Sequence, residues 1–201
     1  MKILSFGLIA ALAASFFAHA QQTSPSTKEE GGGKAKDGNC GLLYGKGHSL
    51  TFCAPESWIL DNGIMNDEGI YAVFYPVGSN WKEAKESGTI MYINVVAKTS
   101  DTIVETMMDA DANEVKRNAP STVVTKGEPI AIGDLSAQTL RFAPSAFSRF
   151  EAVAYLGEDK VLVMFVVSSR NEAIFRKDYP AFVRLVQSYK FLSSNVTIQH
   201  K

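Results

Sequence analysis

FEAVAYLGEDKVLVMFVV, residues 150–167, holds two apolar runs, 150–156 and 160–167, joined only by Gly157-Glu158-Asp159. A link this short cannot carry a chain back to start a parallel neighbour, which needs a crossover of a dozen residues or more, so the two runs pair antiparallel. Upstream, Thr122-Val123-Val124-Thr125, Pro129-Ile130-Ala131-Ile132 and the run 136–142 repeat the pattern across short Gly, Asp or Pro turns, which extends the pair into a meander. Further upstream TIMYINVVA, 89–97, is apolar on both faces for much of its length, as expected of a central strand covered on both sides.

The covers are expected to be helices. After Ser100, Ile103, Val104, Met107, Met108, Ala112 and Val115 recur at helical spacing, with Asp101, Glu105, Asp109, Glu114 and Lys116 on the other face. Thr102 and Glu105 have capping-box spacing, and Ala119-Pro120 ends the helix. Near the C-terminus Ser169 is expected to cap a helix over 170–177, and Pro180 to open a second over 181–189 with Phe182, Leu185, Val186 and Tyr189 on one face. At the front, 41–44 and 49–53 flank Gly45-Lys46-Gly47-His48 and read as a hairpin. An edge piece at 57–61, a loop at 62–69 and a strand at 70–75 follow, the strand stopped by Pro76-Val77-Gly78. The class is α+β: a curved antiparallel sheet with helices packed on its two faces.

Residues 1–20, MKILSFGLIAALAASFFAHA, have a lysine, an apolar run and Ala18-His19-Ala20, the layout of a cleaved secretory signal peptide. The apolar run is shorter than the roughly 20 residues of a membrane span, and Gln21 stands where a lipoprotein needs cysteine. No membrane anchor is therefore expected after cleavage, and the location is periplasmic or secreted. Residues 21–39 contain no large apolar side chain and read as a flexible linker, 40–193 as one α+β domain, and 194–201 as a polar tail. The formal net charge of -1 offers no electrostatic case for a nucleic-acid partner.

Both cysteines, Cys40 and Cys53, belong to the first hairpin. If its turn is Lys46-Gly47, then Tyr44 faces Ser49, Leu42 faces Thr51, and Cys40 faces Cys53 at a non-hydrogen-bonded pair, where Cα atoms approach to about 4.5 Å. In an oxidising compartment such a pair forms a disulfide. Redox pairs are usually closer in sequence, as in Cys-x-x-Cys, and Cys40, His48 and Cys53 are one ligand short of a closed zinc site. No metal and no cofactor is expected.

Candidate chemistry is sparse. With the signal removed only His48 and His200 remain, and His48 between small turn residues reads as a solvated tip. Asp109-Ala110-Asp111-Ala112-Asn113 imitates the start of a calcium loop, but Glu114 and Pro120 occupy its required Gly and Glu positions, leaving a solvated helix face. The candidate binding segment is Tyr75-Pro76-Val77-Gly78-Ser79-Asn80-Trp81. Tyr75, Ser79, Asn80 and Trp81 surround a loop in which Trp81 either anchors a partner or folds back over the end of the sheet. Phe147, Arg149 and Phe150 beside Pro144-Ser145 form a second patch with the same two readings.

The hairpin runs into Phe52-Cys53-Ala54-Pro55-Glu56-Ser57-Trp58, and the chain closes with Ser188-Tyr189-Lys190-Phe191-Leu192. This order resembles the PsbP-like fold, an αβα sandwich shared by photosystem accessory proteins, a Ran-binding import factor and bacterial envelope proteins. The resemblance covers 41–192. It implies a protein-binding role without a common catalytic set. The expected function is thus an exported, soluble, noncatalytic binding or accessory protein of the bacterial envelope with a protein partner, immunity- or chaperone-like. The alternative is a carboxylate-based periplasmic hydrolase or isomerase, which would need two or more acids converging on a pocket.

Overall fold

The computed structural model describes residues 39–61, 72–144 and 149–196. The expected signal peptide, linker residues 21–38, the loop at 62–69, Ile70 and Tyr71, Ser145, Phe147 and tail residues 197–201 lie outside the described residues.

In chain order the elements are β1 (Cys40–Gly45), β2 (His48–Cys53), β3 (Trp58–Asp61), β4 (Ala72–Pro76), α1 (Trp81–Ser87), β5 (Thr89–Ala97), α2 (Val104–Asn118), β6 (Val123–Ile132), β7 (Leu135–Ala143), β8 (Phe150–Gly157), β9 (Val161–Ser169), α3 (Glu172–Gln187) and β10 (Lys190–Ser193). The meander forms as expected: β6 to β9 pair antiparallel with their neighbours. The main sheet has seven strands in the order β3-β4-β5-β9-β8-β7-β6.

β9 is buried along all nine residues because both of its faces are covered. Val161, Val163, Phe165 and Val167 point into a core shared with Phe175, Phe182, Leu185 and Val186 of α3. Leu162, Met164 and Val166 point the other way, into a core with Ala84 of α1 and Met108 and Val115 of α2. The helices therefore lie on both faces of an antiparallel sheet, with α1 and α2 on one side and α3 on the other.

Five local expectations change. The first hairpin leaves the main sheet and forms a second, three-stranded sheet, β1-β2-β10, against the α3 side. Its third strand is β10, which begins just past the helix expected over 181–189. The Ser188 hydroxyl at the C-cap of α3 accepts from the Cys53 N–H at 2.9 Å and donates to the Cys53 carbonyl at 3.2 Å, which turns the chain onto β2. α3 is one helix, not two. It is capped by Asn171, whose side chain accepts from the N–H groups of Ala173 and Ile174, and it runs through Pro180 because Phe175 and Phe182 must share one buried face. The α2 cap is not Thr102 with Glu105: the Ile103 N–H donates to Thr106 Oγ1 at 3.1 Å, while Thr102 is hydrogen-bonded to Thr99. The expected strands at 122–125 and 129–132 are one strand, β6, with an irregularity between Gly127 and Ile130, where Pro129 lacks a ladder N–H on an edge. The supposed loop around Trp81 opens a short helix.

Candidate binding surfaces

The first hairpin has the register read from its turn: Cys40 faces Cys53, Leu42 faces Thr51, Tyr44 faces Ser49 and Gly45 faces His48. Gly47 takes φ +82°, the left-handed region a glycine supplies without strain. Cys40 and Cys53 are disulfide-bonded with their Cα atoms 3.9 Å apart. Cross-strand partners share a face, so Leu43, Leu50 and Phe52 point inward together and are buried.

That parity also turns His48 inward, so it is not the solvated tip its neighbours suggested. It is 7% exposed, and neither ring nitrogen has a hydrogen-bond partner. The imidazole lies across Gly45, where a Cβ would come within 2.5 Å of its Cε1. Burial lowers its pKa below 6.5, and the Lys46 backbone, lying outside hydrogen-bonding geometry, opposes this only in part. The alternation of Leu50 and Phe52 with His48 was the available signal. His48 forms part of the wall of a half-open cleft of about 670 Å³, together with Val95, Val96, Met107, Ala110 and Val161, and Asp101 stands at its margin.

The opposite face of the small sheet looks outward. Leu42 is 57% exposed, Tyr44 62% and Leu192 56%. Leu42 and Tyr44 stand two residues apart on β1, and β10 continues the same face past Thr51 and Ser49 of β2. Three large apolar side chains thus share one rigid surface, which the sequence reading did not single out.

The residues it did single out are divided among other tasks. Tyr75 is buried beneath α1, and its hydroxyl donates to Asp61 Oδ2 at 2.7 Å; that bond and burial push its pKa up to about 12. Asn80 caps α1 by accepting from the Glu83 N–H, and Ser79 donates to the Asn80 carbonyl. Trp81 is half-buried against the core beneath α1, with Lys85 Nζ 5.5 Å from its ring centroid. Of the second patch, Arg149 is buried: it donates to the Ser168 side chain, the Ser168 carbonyl and the Lys85 carbonyl, while Ser168 in turn donates to Glu151 at 2.6 Å. This network ties α1 to the ends of β8 and β9.

Asp111 is likewise not on a solvated face. It is buried under α2 and accepts from the Tyr155 hydroxyl at 2.6 Å. Burial raises its pKa to about 6, with the Tyr155 bond working against the rise. Asp111 and Glu151 are both committed to such internal partners. Among the described residues no group of three or more His, Cys, Asp or Glu is placed to hold a metal ion, and no helix is long and apolar enough to cross a membrane.

No protein-family model matches the chain, and no curated protein does. Solved structures do. Cyanobacterial PsbP from Synechocystis is similar with a TM-score of 0.50 at 14% identity, over 84% of this chain and 100% of its own. LpqN, described as involved in cell envelope biogenesis of Mycobacterium tuberculosis, gives 0.53 at 14%, over 76% and 90%. The Ran-binding protein Mog1p of Saccharomyces cerevisiae gives 0.50 at 7%, over 80% and 98%. Likeness at such low identity is likeness of backbone path, and with helices on both faces of an antiparallel sheet the chain has the PsbP-like fold.

Proposed function

We propose that the protein is exported and serves in the bacterial envelope as a noncatalytic accessory protein that docks another protein, in an immunity- or chaperone-like manner. The observation that carries this is the outward face of the small sheet, where Leu42, Tyr44 and Leu192 are each more than half exposed. Exposed aromatic and aliphatic anchors on a preorganised surface are the usual energetic centre of a protein interface. The Cys40–Cys53 bond holds this face and fits an oxidising compartment. Precedent on this fold comes from LpqN, tied by its description to envelope biogenesis, and from Mog1p, described as Ran-binding. The hydrolase alternative asks for acids converging on a cleft; among the described residues the cleft beside His48 has Asp101 as its one acid, a smaller cleft of about 370 Å³ has Glu105 and Asp109 together with Lys116 and Lys126, and Asp111 and Glu151 sit in internal hydrogen bonds.

The test is photo-cross-linking in cells of the native host, with benzoylphenylalanine replacing Tyr44, Trp81 or, as an exposed control, Val123. Discrete adducts at position 44 that are absent at 123 are expected. Equal labelling at all three positions, or none at 44, would overturn the reading. Adducts at 81 alone would move the interface to α1.

A further inference from the structure

We infer that the partner docks by adding an extended strand along Leu42 to Tyr44 at the outer edge of β1, an apolar segment flanked by acidic residues; this rests on the proposed protein-binding role. β1 is the last strand of its sheet, with no neighbour beyond it among the described residues. Which of its backbone groups are free follows from the turn. In a hairpin closed by two residues the flanking pair, Gly45 and His48, exchanges both hydrogen bonds, and bonded and unbonded pairs alternate from there. Gly41, Leu43 and Gly45 therefore bond to β2, while Leu42 and Tyr44 direct their N–H and C=O groups away from it. Cys53 provides a check on this phase: its N–H and carbonyl bond to the Ser188 side chain, on the side away from β1.

Edges of this kind are normally protected by a charge, a proline or a bulge. CGLLYG has none of these, and Leu42 and Tyr44, whose backbone groups point outward, also have exposed apolar side chains. An added strand would satisfy up to four backbone groups and cover Leu42 and Tyr44 in one step, which is the strand-addition mode of peptide recognition. Charge selects the occupant. Among the described residues the charged side chain next to this edge is Lys46 at the turn, exposed and cationic, while Lys190 lies on β10, across β2 from it. A second copy would bring the same cation, whereas an incoming strand with a carboxylate at the end that meets the turn complements it.

The probe is the peptide acetyl-Glu-Val-Thr-Val-Thr-Val-Glu-amide added to the mature, oxidised protein, read by NMR chemical shift and amide exchange. Saturable binding is expected, with exchange at the Leu42 and Tyr44 amides slowed about fivefold or more, as each hydrogen bond contributes on the order of 1 kcal/mol. A Lys-flanked analogue should bind more weakly, and one N-methylated on its pairing edge should lose about fivefold for each N–H removed. Leu42→Pro deletes one outward N–H without touching the β1–β2 ladder and should abolish protection, while Leu42→Thr should retain it. No protection at millimolar peptide, equal binding of the N-methylated form, or protection that rises with protein concentration alone, the signature of a second copy, would each overturn the inference. If cross-linking at Tyr44 succeeds while edge protection fails, the interface stands and the strand-addition geometry falls.

Discussion

At His48 an imidazole lies over a glycine with no hydrogen bond to either nitrogen, and only its neutral form suits that packing. The charged groups around it are Lys46 on its own turn, Lys160 against Gly47, and Asp101 at the margin of the cleft, and burial is what disfavours its cation. Its folded pKa is below 6.5, so on acidification the unfolded chain takes the proton first. The associated stability is present above pH 6.5 and is lost as the pH falls through and below that value. His48→Phe should therefore lose less thermal stability than wild type between pH 7.5 and 5; parallel melting curves for the two proteins would refute this. Asp111 has the opposite sign. Its folded pKa of about 6 exceeds the ordinary 3.8, so the folded state retains the proton between those values and stability declines as pH rises through 6. Asp111→Asn cannot ionise, and its advantage over wild type should grow by about 2 kcal/mol from pH 4 to pH 7 in denaturant titrations. An offset that does not vary with pH would mean that the carboxyl is already ionised in the fold.

Among the elements, the disulfide-closed hairpin yields the most direct expectation. Nonreducing mass spectrometry of the mature protein should find Cys40 bonded to Cys53, and replacing both by serine should cost about 3 kcal/mol in the chain-entropy account. Two free thiols in protein taken from its native compartment would remove the clasp. The hairpin register was legible because a two-residue turn dictates every facing pair, and α2 because its apolar stripe spans fifteen residues. The short elements were not. Seven residues of α1 carry one buried alanine, too little periodicity to distinguish them from a loop, and KFLS becomes a strand only because β2 offers an edge. Pro180 suggested a break that the common buried face of Phe175 and Phe182 overrides.

For the whole molecule, antiparallel pairing and two covered faces could be read from three-residue links and from strands apolar on both sides. The candidate surfaces could not. Alternation shows that Leu42 and Tyr44 oppose Leu43, but only the packing of the small sheet on the α3 core decides which set meets water. The burial of Asp111 likewise depends on Tyr155, 44 positions away on another element. The small sheet also joins the two ends of the domain: β2 is held by β10, and Cys53 by Ser188, across a separation of 135 residues. A polypeptide threaded through a secretion channel N-terminus first would present the hairpin early and its third strand last. Closure of the small sheet would thereby wait until almost the entire length had crossed, since its third strand comes last in the chain.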